Sequence, residues 1–172
     1  MSIGATRHLV ETAVDLVVDQ IQSNIAEALA DIRVNRADNA VTLEPPRDYF
    51  IYPRAKGYRT PAVFVIGDRI DFLKERRGAN HINAAIRLNV TVLVEDKDAE
   101  RITRKAYRYQ AALHQVLDQV RLQSSDNQAS LTVVIQSASY SPLYSNLEAG
   151  DPQAVYRKEI SLELDVFQFE PL

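Results

Sequence analysis

AIRLNVTVLVEDKDAERITRKAYRYQAALHQVL, residues Ala85 to Leu117, joins a strand directly to a helix, and its two periods decide the fold. In the first part Ile86, Leu88, Val90, Val92 and Val94 alternate with Arg87, Asn89, Thr91 and Glu95, and only Leu93 breaks the pattern. Successive side chains of a strand point to opposite faces, so this spacing predicts one buried face and one that is wet or meets another chain. From about Asp98 to Gln123 the period changes. Ala99, Ile102, Ala106, Tyr109, Leu113, Val116 and Val120 recur at three-four spacing and form one stripe, which predicts a helix packed on the sheet. Asp98 and Glu100 stand at its start, where a carboxylate caps free amides and meets the positive end of the helix dipole. Asp96-Lys97-Asp98 therefore reads as a capping segment and not as a metal-binding DxD, because a divalent ion needs further oxygen ligands that the sequence does not place.

The stretch VYRKEISLELDVFQFE, Val155 to Glu170, repeats the strand design. Ile160, Leu162, Leu164 and Val166 alternate with Ser161, Glu163 and Asp165, and a one-residue slip would turn every apolar group toward water, which fixes the register. Phe167 and Phe169 fall on the opposite parity: either their burial depends on a partner, or they tuck under the N-terminal helix.

That N-terminal helix is expected over about residues 6–36, with Val10, Val14, Val17, Ile21, Ile25, Ala28 and Ile32 on one face. Another face carries Glu11, Asp15 and Asp19, a row that suits a solvated surface or a basic surface on a neighbour. Residues of about 37–48 lose periodicity and end in Pro45-Pro46, which reads as a linker. Tyr49 to Tyr52 reads as a short strand stopped by Pro53, followed by a basic loop with Arg54, Lys56 and Arg59. Ala62 to Ile66 reads as a buried strand, Gly67-Asp68 as a turn or bulge, Ile70 to Glu75 as another strand, and Arg76 to His81 as a hairpin tip bearing Arg76 and Arg77. Ser124 to Gln128 is a polar loop, Leu131 to Ile135 a strand expected to be buried on both faces, and Ser137 to Pro152 a long excursion.

These elements predict a single α+β domain over residues 1–172: a mixed or mainly antiparallel sheet, a long N-terminal helix and a second long helix packed on the sheet, with the sheet-and-helix core at about 49–170. With no cysteine, the chain has no disulfide, no thiol nucleophile and no cysteine-ligated metal site. No apolar run approaches the roughly 20 residues that span a bilayer, and the start lacks a basic segment followed by an apolar core, so neither membrane insertion nor secretion is expected.

Chemistry is hard to place in this sequence. The five glycines, at 4, 57, 67, 78 and 150, lack the spacing of phosphate loops, dinucleotide fingerprints or nucleophile elbows. Of three histidines only His114 has a carboxylate one helical turn away, at Asp118, an arrangement common on surfaces. Neither a catalytic residue nor a cofactor or metal site is expected, and the chain reads as a non-enzyme. Arg101, Arg104, Lys105 and Arg108 make a basic row on the second helix that suits phosphates, but the net charge of −3 and the lack of an aromatic platform or groove-reading motif argue against sequence-specific nucleic-acid binding. Charge is uneven: between Arg47 and Arg87 nine lysines and arginines stand against four acids, so the rest of the chain is strongly acidic. Head-to-tail association of identical subunits uses such asymmetry, because a heterologous interface pairs two different patches.

In its order of elements, and in the texture of the two quoted stretches, the chain resembles the tail terminator, or tail-completion, proteins of tailed bacteriophages. The resemblance implies an α/β subunit with a mixed or antiparallel sheet flanked by helices. It implies a homo-oligomeric ring, a hexamer, at the head-proximal end of the tail tube, with the tail tube protein and a neck or connector protein as partners and DNA passing through the ring. The location implied is the tail and neck region of the virion, after assembly in the bacterial host cytoplasm. Under that reading Glu11, Asp15 and Asp19 pair laterally with Arg101, Arg104, Lys105 and Arg108, while Arg54, Lys56, Arg59, Arg76 and Arg77 serve an end face or the lumen. A neck or head–tail connector adaptor, a tube-capping protein of a contractile injection machine, and a small enzyme without a recognisable motif are the alternatives.

Overall fold

The structure, a computed structural model, describes residues 9–37, 39–53, 56–72, 84–124, 130–148 and 151–168. Helix α1 (Leu9–Arg36) is followed by strands β1 (Asp48–Phe50), β2 (Ala62–Phe72) and β3 (Ala84–Asp96), helix α2 (Ala99–Leu117), and strands β4 (Arg121–Gln123), β5 (Ser130–Tyr140), β6 (Tyr144–Ser145) and β7 (Tyr156–Gln168). The strands form one mixed sheet in the order β1-β2-β3-β7-β5-β4, with β6 beside β7. β1 runs parallel to β2 and the other pairs are antiparallel. The fold is α+β, as the sequence predicts.

The two alternating strands are the central pair. β3 and β7 run without a break from Ala84 opposite Gln168 to Asp96 opposite Tyr156, in the register that alternation demands. Ile86, Leu88, Val90, Val92, Ile160, Leu162, Leu164 and Val166 are all buried on the face that carries both helices. Leu93 breaks the alternation for a reason: on the other face it joins Ala62 and Phe64 in a second small core, covered by Phe50, Tyr58 and Ile66. The flanking strands are irregular, with register shifts between Gly67 and Arg69 in β2 and between Ile135 and Ser137 in β5. Bulges of this kind sharpen twist and make exposed strand edges poor templates for further pairing.

Several boundaries differ from the sequence reading. Gly67-Asp68 is a bulge, and β2 continues through it to Phe72 instead of restarting as a separate strand. The second helix ends at Leu117 and not near Gln123: Asp118 leaves helical geometry, Gln119 takes a positive φ of 55°, and Arg121–Gln123 pairs with β5. β5 runs on to Tyr140, which shortens the expected excursion, and it is buried on one face only, with Leu131 and Val133 inward and Thr132 and Val134 half-buried. The linker is not free of the core, because Val41, Leu43 and Pro46 are buried. The hairpin tip with Arg76 and Arg77 lies outside the described residues, as do Arg54 and Phe169.

Candidate assembly surfaces

The start of α2 divides the basic row. Asp98, in extended geometry, caps the helix by accepting a hydrogen bond from the Arg101 amide at 2.6 Å. Asp96 continues the inward parity of β3, so its side chain, 9% exposed, lies beneath the first turns of α2. There it accepts from the Arg101 guanidinium at 2.5 Å and from Lys105 Nζ at 2.9 Å. Burial pushes the Asp96 carboxyl up, but the bonds from Arg101 and Lys105, the Lys105 charge and the Asp98 amide more than offset it and hold it at about 2. Arg101 and Lys105 are thus both ion-paired within the subunit, Lys105 largely covered and Arg101 still 41% exposed.

The other two members face a groove. Arg104 pairs with Glu100 one turn earlier at 2.7 Å, and Arg108 is 8% exposed. Together with Ile32, Asn35, Arg36, Tyr107 and Ala111 they line a groove of about 260 Å³ where the last turn of α1 meets α2. Arg36 escapes the sequence reading, although a basic residue in a helix's last turn complements the dipole and marks that end as cationic. Tyr107 stands at the groove with its ring edge-on to Tyr140 of β5, centroids 5.2 Å apart. Beyond it Leu143, Tyr144 and Leu147 are exposed.

Near the opposite end of α1, Glu11, Asp15 and Asp19 are exposed at successive turns. The Asp15 carboxyl is raised from its ordinary value by partial burial and then by the charges of Glu11 and Asp19. A second groove, of about 280 Å³, lies along the helix pair between Glu27, Asp31 and Asp118, where Gln20 donates to the Val116 carbonyl at 3.1 Å.

Beside the small Ala62–Phe64–Leu93 core, the face of the sheet away from the helices is polar and internally paired over β3 and β7. Arg87 reaches Glu163 at 3.0 Å and Asp165 at 3.1 Å, Arg157 reaches Glu95 at 2.5 Å, and the hydroxyls of Thr91 and Ser161 share a bond of 3.0 Å. Phe167 is half-buried on this face between Ala85 and Thr132, on the side of the sheet opposite α1. In the basic loop Lys56 is exposed and Arg59 pairs with Asp48 at 2.8 Å. His114 and Asp118 are 3.9 Å apart on the surface. Among the described residues no group of three His, Asp or Glu side chains is placed to hold a metal ion, and no helix is long and apolar enough to cross a membrane.

No protein-family model and no curated protein matches the chain. Among solved structures it is similar to a chain of the "Virion of native gene transfer agent (GTA) particle", with 14% identity over 86% of this chain and 92% of that one and a TM-score of 0.45. It is also similar to a second solved chain, with 18% identity over 90% of this chain and 97% of that one and a TM-score of 0.41.

Proposed function

We propose that this protein is a structural ring subunit of a phage-type tail: a tail terminator that sits at the head-proximal end of the tail tube, stops tube growth and joins the tail to the neck. The observation that carries the reading is the two-layer build. Both helices cover one face of the sheet; the other carries a small apolar cluster at the β1–β2 side and, over β3 and β7, an internally paired polar wall. On the described part of that face Asp71, Glu95, Glu159, Glu163 and Asp165 stand against Arg69, Arg87, Arg121 and Arg157, a slight acidic excess that leaves no net attraction for phosphate. A wall with that bias suits the lining of a passage for DNA. The resemblance of the sequence to tail terminators supports the same conclusion, with a hexamer as the expected ring and the tube protein and a neck protein as its axial partners. The exposed Tyr140, Leu143, Tyr144 and Leu147 give the subunit an apolar edge for such contacts.

Light scattering and electron microscopy of the purified protein test this reading. Rings are expected, and their addition to polymerising tail-tube subunits should shorten the tubes. A protein that stays monomeric at high concentration and low salt would sink the proposal.

A further inference from the structure

We propose that the cationic groove at the α1–α2 junction is one half of a head-to-tail contact between copies of this chain, and that the acidic row near the start of α1 on the next copy is the other half. The proposal rests on the ring reading above and names the surfaces that close the ring.

Arg36, Arg104 and Arg108 converge on the groove beside the half-exposed Tyr107, a mixture of guanidinium and aromatic groups typical of the anchoring centres of interfaces. Glu11, Asp15 and Asp19 present three carboxylates at one-turn intervals. The acidic row and Arg36 lie on one helix, with Arg104 and Arg108 of α2 beside Arg36, and at 1.5 Å per residue Asp15 and Arg36 are roughly 30 Å apart along the α1 axis. A continuous helix cannot fold its own ends together. Complementary charge on its two ends can therefore be matched only between molecules, and because the patches differ the contact is heterologous, propagating until rotation closes it. The crowding of Asp15 by Glu11 and Asp19 adds to the gain when cations arrive.

Two variants test the pairing, each altering exposed positions so that the fold is kept. The first is Asp15→Lys with Asp19→Lys, and the second is Arg36→Glu with Arg104→Glu. Each alone brings like charges together, and ring association should weaken at least tenfold in low salt. Mixed in equal amounts, the reversed row of the first faces the reversed groove of the second while the native patches also match, so rings of alternating variants should return. Wild-type rings that persist in both variants, or a mixture that stays dissociated, overturn this contact but leave the ring reading standing. A wild-type protein that never assembles overturns both.

Discussion

Tyr109 on α2 donates its hydroxyl hydrogen to the main-chain carbonyl of Glu44, and this bond ties the second helix to the segment that leaves the first. Tyr109 is 0% exposed, and Val41 and Leu43 of the same segment are buried beside it, so the proline-marked stretch is held as part of the core. Burial raises the Tyr109 pKa, so the phenol stays a neutral donor throughout the ordinary pH range. Replacing Tyr109 by Phe keeps the ring and removes the donor. The expected loss is about 1–2 kcal/mol in denaturant unfolding, with an unchanged slope. A Phe variant as stable as wild type would mean that the Glu44 carbonyl finds another donor.

Gly67 is required by a close approach. A Cβ built there would lie 2.5 Å from Val10 Cγ1, in the first turns of α1 as described. Valine is stiff about its first side-chain torsion, so the helix or the bulge must shift. Gly67→Ala should cost about 1–3 kcal/mol, and adding Val10→Ala should recover part of it. Additive losses in the double variant would place the strain elsewhere.

Asp96 gives the folded state a pH dependence of known sign. Its carboxyl is held at about 2, below the ordinary 3.8, so the folded state releases its proton more readily than the unfolded chain. The resulting stabilisation, about 2 kcal/mol, is complete well above pH 3.8 and is lost as the pH falls toward 2. Unfolding midpoints of wild type and Asp96→Asn should therefore separate at neutral pH and draw together in acid. A constant gap down to pH 2 would rule out this origin.

The central sheet was legible because β3 and β7 each bury one face, and burial of one face leaves only one workable parity. The end of α2 was not, because Val116 and Val120 prolong the helical stripe and the turn at Gln119 uses a positive φ without a glycine to announce it. The second half of β5 was hidden for another reason: Ser137 to Tyr140 is exposed and lacks the apolar alternation that marks a half-buried strand. For the candidate surfaces, the acidic row could be read from spacing alone. The basic row could not, since a helical wheel shows four cations but not the carboxylate beneath them. The signal was present in the even parity of β3, which carried on to residue 96 puts Asp96 on the helix side.

Arg87 offers a way to separate the stability of the subunit from its assembly. It bridges Glu163 and Asp165 on β7, and its guanidinium pKa is raised by the hydrogen bond and charge of Asp165. Replacing it by Met leaves two carboxylates two residues apart on one face of a strand, roughly 7 Å from each other, with no cation between them. The melting temperature should fall by about 2–4 °C, and by less in high salt, where the repulsion is screened. Adding Asp165→Asn should remove much of the penalty, because only one charge then remains. Ring formation should survive all of these changes, since the altered side chains lie on the open face of the sheet and not at the helix ends proposed to meet. Rings that dissociate in Arg87→Met while the subunit stays folded would instead make the open face a contact between copies, and would remove the argument that it lines the passage.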